Sequence, residues 1–402
     1  MRIGIDCRSI LHPEAGESAG VGHYVHHLVA ALLREDVRNE YVLFFDNRDV
    51  AEAKRDLLRG NPRVTARALP FRTLRRAMPF VYSHLVVSSV FDRERLDLLH
   101  GPANVVPFFY RRPWVVTVHD LAIYDHPEWF PAGSLGTQTF SKSVLVPHSL
   151  RHARRVIAVS QATKRDAMRI FGLDERKIDV VYEGAEPPDS KGDPGAALSR
   201  LGLAKGDYLL WLGTVEPRKN VAAAIRAFAH AARRGWLPER VDFVLAGRRG
   251  WKDRTSFDAI RDANEAIGGT RARVRYVGYL SAEDKHAVTA SAGAFIFPSL
   301  YEGFGLPPLE AMAAGVPVIA SDTAAVAEVC GDAALLVAPT DEEGFAHAIR
   351  AVWNDRAEAE RLRDAGLRRA ADFSWRKAAR ETLAVYERSA RTAVSSVGHD
   401  IA

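Results

Sequence analysis

Two carboxylates, Glu302 and Glu310, bracket the run Glu302-Gly303-Phe304-Gly305-Leu306-Pro307-Pro308-Leu309-Glu310, the most chemically suggestive stretch of the chain. Residues 294–297 read as a short buried strand and 298–305 as the loop leaving its carboxyl end. Pro307 and Pro308 suit the first turn of a helix, where a missing N–H is tolerated. That helix should run to Ala314 with Gly315 as its left-handed cap. Its amino end offers backbone N–H groups and partial positive charge, a setting for a diphosphate. A carboxylate in the first helical turn would repel phosphate directly beside it but can accept two hydroxyl donors, so Glu310 should turn sideways toward vicinal ribose or sugar hydroxyls. The plainer alternative is that Glu310 caps a helix and Glu302 is a solvated loop residue.

Further groups follow other strands. Gly213-Thr214-Val215-Glu216-Pro217-Arg218-Lys219-Asn220 leaves the strand at 208–212 and enters a helical stretch at 221–232. Asn220 fits an N-cap, which leaves Arg218 and Lys219 beside the helix start, able to neutralise a diphosphate and the charge that develops as its bond breaks. A solvated basic pair is the alternative. Residues 115–118 end in His119-Asp120, an imidazole that could bind a hydroxyl or polarise a reacting group, or serve structure alone. A loop with Gly16, Gly20 and Gly22 follows the first strand and could approach a phosphate closely. Gly247, in Gly247-Arg248-Arg249-Gly250-Trp251, could do the same. Gly278-Tyr279-Leu280-Ser281 could wall a nucleobase with its backbone; ordinary turn chemistry accounts for all three loops as well. Ser160 reads as the N-cap of the helix that follows it.

Apolar β-branched runs alternating with helical patterns must position these groups. Strands are expected at 2–6, 41–45, 98–100, 115–119, 156–160 and 178–182, then at 208–212, 243–246, 274–277, 294–297, 318–320 and 335–337. Continuous apolar strands separated by helices imply parallel sheets covered on both faces, hence two successive α/β units. A length of 402 residues with 47% hydrophobic composition suits two cores. The expected limits are 1–187 for a first domain, 188–206 for a linker, 207–374 for a second domain and 375–402 for a final helix and tail. Sheets of this kind bind ligands beyond the carboxyl ends of their strands, where the residues above lie.

No apolar run approaches membrane-span length, and the amino terminus reads as a strand, not a signal peptide. Cys7 and Cys330 show no metal-ligand spacing, and a cytoplasmic location is the simplest setting for them. The net charge of +5 suits an acidic ligand or an anionic membrane face. Dispersed arginines and the lack of a recognisable module argue against nucleic acid. Phe71 to Asp92 carries Arg72, Arg75 and Arg76 beside an apolar run. It reads as a surface-to-core helix or, alternatively, as a peripheral contact with anionic membrane near a lipid-linked acceptor.

The ordered set formed by the glycine loop, Val118-His119-Asp120, Gly213 to Asn220, the two glutamates and Phe373-Ser374-Trp375 resembles the retaining glycosyltransferases of family 4, particularly their mannosyltransferase-like branch. The resemblance covers nearly the whole chain. It implies an α/β GT-B fold, with two Rossmann-like domains whose parallel sheets face across a deep cleft and a last helix crossing back to the first domain. It implies transfer of a sugar from a nucleoside diphosphate sugar, GDP-mannose preferred, to a hydroxyl of a glycan or lipid-linked oligosaccharide, with neither metal nor cofactor. Arg218 and Lys219 would hold the diphosphate, Glu310 the ribose and Glu302 the transferred sugar. Backbone N–H groups of Gly303, Phe304, Gly305 and Leu306 would hold sugar and phosphate, Gly22 would approach the phosphate, and His119 would line the sugar site. His23 departs from the arginine frequent in related chains. A paired-carboxylate hydrolase leaves Arg218 and Lys219 without a purpose. A nucleotide-sugar epimerase or hydrolase of the same fold and a non-catalytic nucleotide-sugar binder are the other readings.

Overall fold

Strands without a single exposed side chain form the centre of each sheet, because both faces of a parallel sheet are covered by helices. The computed structural model describes residues 1–10, 20–46, 61–131, 140–185, 194–238 and 240–397. Its contacts divide the chain into two units. The first comprises Met1–Tyr124, Ala132–Glu183 and Trp375–Ala402, and the second Asp125–Pro131 and Gly184–Ser374.

In the first unit, β1 (Arg2–Asp6), β2 (Glu40–Phe45), β3 (Val64–Ala68), β4 (Leu98–Gly101), β5 (Trp114–Val118), β6 (Arg155–Ala158) and β7 (Ile178–Val180) make one sheet in the order β3-β2-β1-β4-β5-β6-β7. All pairings are parallel. Helix α1 (Gly20–Glu35) buries Tyr24, Val25, Leu28 and Leu32, the 3.6-residue stripe expected of a covering helix. Helix α2 (Gln161–Phe171) begins at Ser160, whose side chain accepts from the Thr163 amide as an N-cap should. The terminal helix Trp375–Val397 packs on α1 and on the sheet, with Trp375 stacked against His27 at 5.4 Å and Arg380 paired with Glu35.

In the second unit, β8 (Tyr208–Leu212), β9 (Asp242–Ala246), β10 (Val274–Gly278), β11 (Ala294–Phe297), β12 (Val318–Ser321) and β13 (Ala334–Val337) form a parallel sheet in the order β10-β9-β8-β11-β12-β13. This is a doubly wound order, and its direction reverses between β8 and β11, where the loops from the two strand ends diverge and leave a crevice. Helices α3 (Val221–Arg233), α4 (Ala282–Ala290) and α5 (Leu306–Ala313) each follow one of these strands.

Three features depart from the sequence expectation. β3 was not anticipated: none of its residues is fully buried, so its edge position leaves no apolar signature. Pro194–Leu201, inside the stretch expected as linker, is a helix that packs on α4 in the second unit. Residues 188–193 and Gly16 lie outside the described residues. Asn220 precedes α3 but its side chain does not cap it: the residue adopts left-handed backbone geometry, and its side-chain Nδ2 donates to the carbonyls of Pro298 and Pro339. The apolar run after Phe71 forms helical segments from Arg72–Ala77 to Val87–Arg93 that bury Tyr82, Val87 and Phe91 and leave Phe71, Met78, Phe80 and Leu85 exposed. Among the described residues, no helix is long and apolar enough to cross a membrane.

Candidate active site

Arg218, Lys219 and Glu302 meet at the switch point of the second sheet. A one-turn helix over Pro217–Lys219 follows β8, and the loop after β11 brings Glu302 back against it. The Glu302 carboxylate accepts from Arg218 Nη1 at 2.7 Å through one oxygen and from Lys219 Nζ at 2.6 Å through the other. The Arg218 guanidinium is fixed on its second edge by Glu216, which accepts from Nε at 3.1 Å and from Nη2 at 2.8 Å, while Nη1 also reaches the Tyr301 carbonyl. The Leu300 amide closes the arrangement by donating to the Arg218 carbonyl. Side-chain exposure is 5% for Glu216, 9% for Glu302, 12% for Lys219 and 13% for Arg218, so two cations and two anions share a mostly dry pocket.

Electrostatics follows from that balance. Burial disfavours the Glu302 charge, but Arg218 and Lys219 outweigh it and hold its carboxyl at about 2. Burial and the neighbouring Arg218 charge lower the Lys219 ammonium from its ordinary value, with Glu302 and Glu216 opposing them. Sequence reasoning missed Glu216. Its place in the same short loop as Arg218 was visible, but not that the guanidinium would need an anchor.

The start of α5 matches expectation in outline. Gly305 has φ +121, a conformation suited to glycine, and Gly315 at φ +70 ends the helix. Pro307 and Pro308 fill the first turn and remove two amide donors, so the amides of Gly303, Phe304, Gly305 and Leu306 are those that remain at the helix entrance. The Phe304 ring is buried edge-on against Phe373 at 5.9 Å, a packing role that anchors the loop. Glu310 is the fifth residue of α5, one turn further in than expected, and Lys285 on α4 donates to both its oxygens at 2.8 and 3.0 Å. Lys285 is a second residue the sequence did not signal, because it comes from a neighbouring strand-helix unit.

Gly247 serves backbone packing. With φ +139, an added Cβ would sit 1.8 Å from the Gly213 carbonyl oxygen. Its amide donates to the Gly278 carbonyl and its carbonyl accepts from the Tyr276 hydroxyl. Tyr279 is 42% exposed and lies under the Arg248 guanidinium at 4.9 Å.

In the first unit, His119 leaves the carboxyl end of β5. Its Nε2–H donates to the Pro102 carbonyl at 2.7 Å, which turns Nδ1 toward the Glu183 carboxylate at 3.4 Å, and its amide donates to Asn104. Tyr24 of α1 packs edge-on against the imidazole at 4.6 Å. Glu183, 6% exposed just beyond β7, was also missed, although a carboxylate at a strand's carboxyl end was the signal available. Asp120 accepts from the Ala122 amide and shapes the next turn. Gly22 lies in the first turn of α1, where it is buried, and His23 packs against His27 and Trp375. Beneath His119, buried His100 bridges Tyr386 of the terminal helix and Thr117 of β5 at 2.7 and 2.8 Å; burial, with the His119 charge adding, lowers it to about 3.

Comparison with known proteins gives this geometry a family. The profile described as Glycosyltransferase Family 4 matches residues 18–187, and that described as Glycosyl transferases group 1 matches residues 200–369. The chain is 32% identical to O-antigen chain mannosyltransferase B of Escherichia coli over 72% of its own length and 74% of that protein. It is 31% identical to a glycogen synthase of Mycobacterium tuberculosis over 73% and 69% of the two chains. Among solved structures, Anabaena HepE in complex with UDP and glucose superposes with a TM-score of 0.71 at 21% identity, covering 96% of this chain and 99% of that one. Sequence and architecture therefore agree, and the chain belongs to the family 4 glycosyltransferases, built on the two-Rossmann GT-B fold.

Proposed function

We propose that the protein moves a hexose, mannose by preference, from a nucleoside diphosphate sugar to a hydroxyl of a glycan or lipid-linked acceptor in surface polysaccharide synthesis, with retention at the anomeric carbon. The observation that carries this reading is the Glu216–Arg218–Glu302–Lys219 cluster at the switch point of the second sheet. A diphosphate entering there meets an ammonium with donors beyond the one given to Glu302 and the amides at the entrance of α5. Each Glu302 oxygen, already accepting one cation, has a second lone pair for a sugar hydroxyl. Glu310 would exchange part of its pairing with Lys285 for ribose hydroxyls, while His119 and Gly22 retain the sugar and phosphate roles that the family pattern implies.

In the step itself, the acceptor oxygen bonds to the anomeric carbon on the face from which the diphosphate departs. The carbon–oxygen bond to the diphosphate breaks, and a departing phosphate oxygen takes the acceptor's proton. Lys219 and Arg218 stabilise the charge gathering on that leaving group, so the reaction proceeds without a divalent ion. Mannose is preferred because several relatives are mannosyltransferases by name, among them serotype-specific mannosyltransferase WbdA of Escherichia coli, 31% identical over 65% of this chain and 32% of that protein. The glycogen synthase relative keeps a glucosyl donor as the rival.

A thermal-shift panel of GDP, UDP, ADP and their sugars tests the donor, since a ligand bound only by the folded chain raises its melting temperature. Stabilisation by GDP-mannose is expected, and stabilisation by UDP without GDP would reject it. Transfer from the chosen donor should require an acceptor and survive EDTA; equal donor turnover without acceptor would favour an epimerase or hydrolase. The exposed Phe71, Met78, Phe80 and Leu85 support a peripheral membrane contact, which fails if the protein stays in the supernatant after pelleting with anionic vesicles.

A further inference from the structure

The amino ends of β5, β6 and β7 form the edge of the first sheet opposite His119, and a second concentration of positive charge lies there. A cleft of about 480 Å³ is lined by Arg111, Arg112, Trp114, His152, Arg154 and Lys177. Arg111 to Pro113 precede β5, Arg154 precedes β6 and Lys177 precedes β7, so the parallel sheet itself brings these cations together. The side chains of Arg111 and Arg154 are exposed and form no hydrogen bond or ion pair among the described residues. Arg112 stands 3.9 Å from Asp92, which does not itself line the cleft, in a pair about half open to solvent. Lys177 donates to the Arg151 carbonyl, and burial lowers its ammonium from the ordinary value. Trp114 forms a rigid floor, 7% exposed and held through its indole N–H by the Ser149 carbonyl.

Four cations lining one cleft with no carboxylate among its lining residues repel one another, and an anion of two or more charges could pair with several of them at once. Planar guanidinium forks match phosphate oxygens in pairs, and an ammonium adds a point charge. None of the groups assigned to transfer lies at this edge. We propose that the cleft is a binding site for a phosphate-bearing anion, a diphosphate or a phosphomonoester. The same chemistry occurs in a phospholipid headgroup and in a soluble phosphorylated compound.

Calorimetric titration of inorganic pyrophosphate into the full chain, beside the Arg111→Ala/Arg154→Ala variant, tests the site. The wild type should bind one more pyrophosphate than the variant, and that extra binding should weaken about tenfold between about 50 mM and about 300 mM salt. Equal stoichiometry and affinity in both proteins would overturn the proposal. Pelleting with phosphatidylcholine vesicles, with and without phosphatidate, assigns the source. Phosphatidate-dependent pelleting lost in the variant identifies a lipid headgroup, whereas pyrophosphate binding without such pelleting identifies a soluble anion. Stabilisation by the sugar nucleotide should be the same in both proteins. If the double variant does not fold, Arg112→Gln/Lys177→Gln replaces it, and pyrophosphate binding unaltered by that pair rejects the site.

Discussion

Glu302 occupies a position where one carboxylate serves two cations. Its carboxylate pairs with Arg218 and Lys219, and Glu216 bonds only Arg218, so Glu302→Gln should destabilise the chain at neutral pH by about 3–5 kcal/mol, the cost of leaving the buried Lys219 ammonium without its counterion. The pH dependence has a definite sign. A carboxyl held at about 2 in the folded chain against an ordinary 4.5 adds stability that is present above 4.5 and lost as pH falls through 2. Urea midpoints of wild type and variant should therefore converge between those values; a constant gap down to pH 3 would show that the carboxylate's charge is not what stabilises the fold. Lys219→Ala should lower kcat by about a hundredfold or more, the scale for losing a group aimed at developing charge. An unchanged kcat with a raised KM would make Lys219 a ground-state binder only. At this scale the sequence was readable for residues that carry charge on strand-end loops, Arg218, Lys219 and Glu302 among them, whereas Glu310 lies a turn further into α5 than its spacing implied. It was silent on Glu216, Lys285 and Glu183, because a counterion is chosen by three-dimensional proximity and leaves no spacing rule along the chain.

The strand ends show how elements enforce those positions. Gly213, Gly247 and Gly278 bring the carboxyl ends of β8, β9 and β10 into backbone contact, with the Gly213 amide donating to Ala246 and the Gly247 amide to Gly278. Gly247→Ala would drive a Cβ into the Gly213 carbonyl and splay the loop that carries Arg218. The expected cost is about 2 kcal/mol or more, with activity falling further than stability alone explains. Full activity with wild-type melting would mean that the loop adjusts freely. The central strands were legible because burial on both faces forces unbroken apolar runs, as in β8, Tyr208–Leu212, and β11, Ala294–Phe297. β3 was not, since an edge strand with Thr65 and Arg67 lacks that pressure. Asn220 was misjudged for a related reason: its residue type suits a cap, but the carbonyls of Pro298 and Pro339 hold its side-chain Nδ2.

At the scale of the molecule, the first unit is assembled from both ends of the chain. Tyr386 is buried, and its hydroxyl meets His100 far back in the sequence at the heart of the first sheet. Tyr386→Phe would leave a His100 nitrogen buried without its partner, for a loss of about 1–3 kcal/mol. Hydrogen exchange should locate that loss in β4, β5 and the terminal helix, with β8 and β11 unaffected; uniform loosening of both sheets would contradict a local role. The whole-molecule architecture was largely written in the alternation of strand and helix, whereas the pairing of Tyr386 with His100 could not be read from either residue alone. That pairing also gives the protein a biosynthetic calendar. On the ribosome, the 286 residues that separate Tyr386 from His100 take on the order of fifteen seconds to a minute of synthesis at typical rates of ~5–20 residues per second, so this pairing waits on nearly all of the second unit. The second unit, complete apart from the short piece Asp125–Pro131 that precedes it, has every strand available earlier. The half of the enzyme that is translated first is therefore the half that is finished last, and a nascent chain stalled before Trp375 would carry a first unit whose α1 face still lacks its cover.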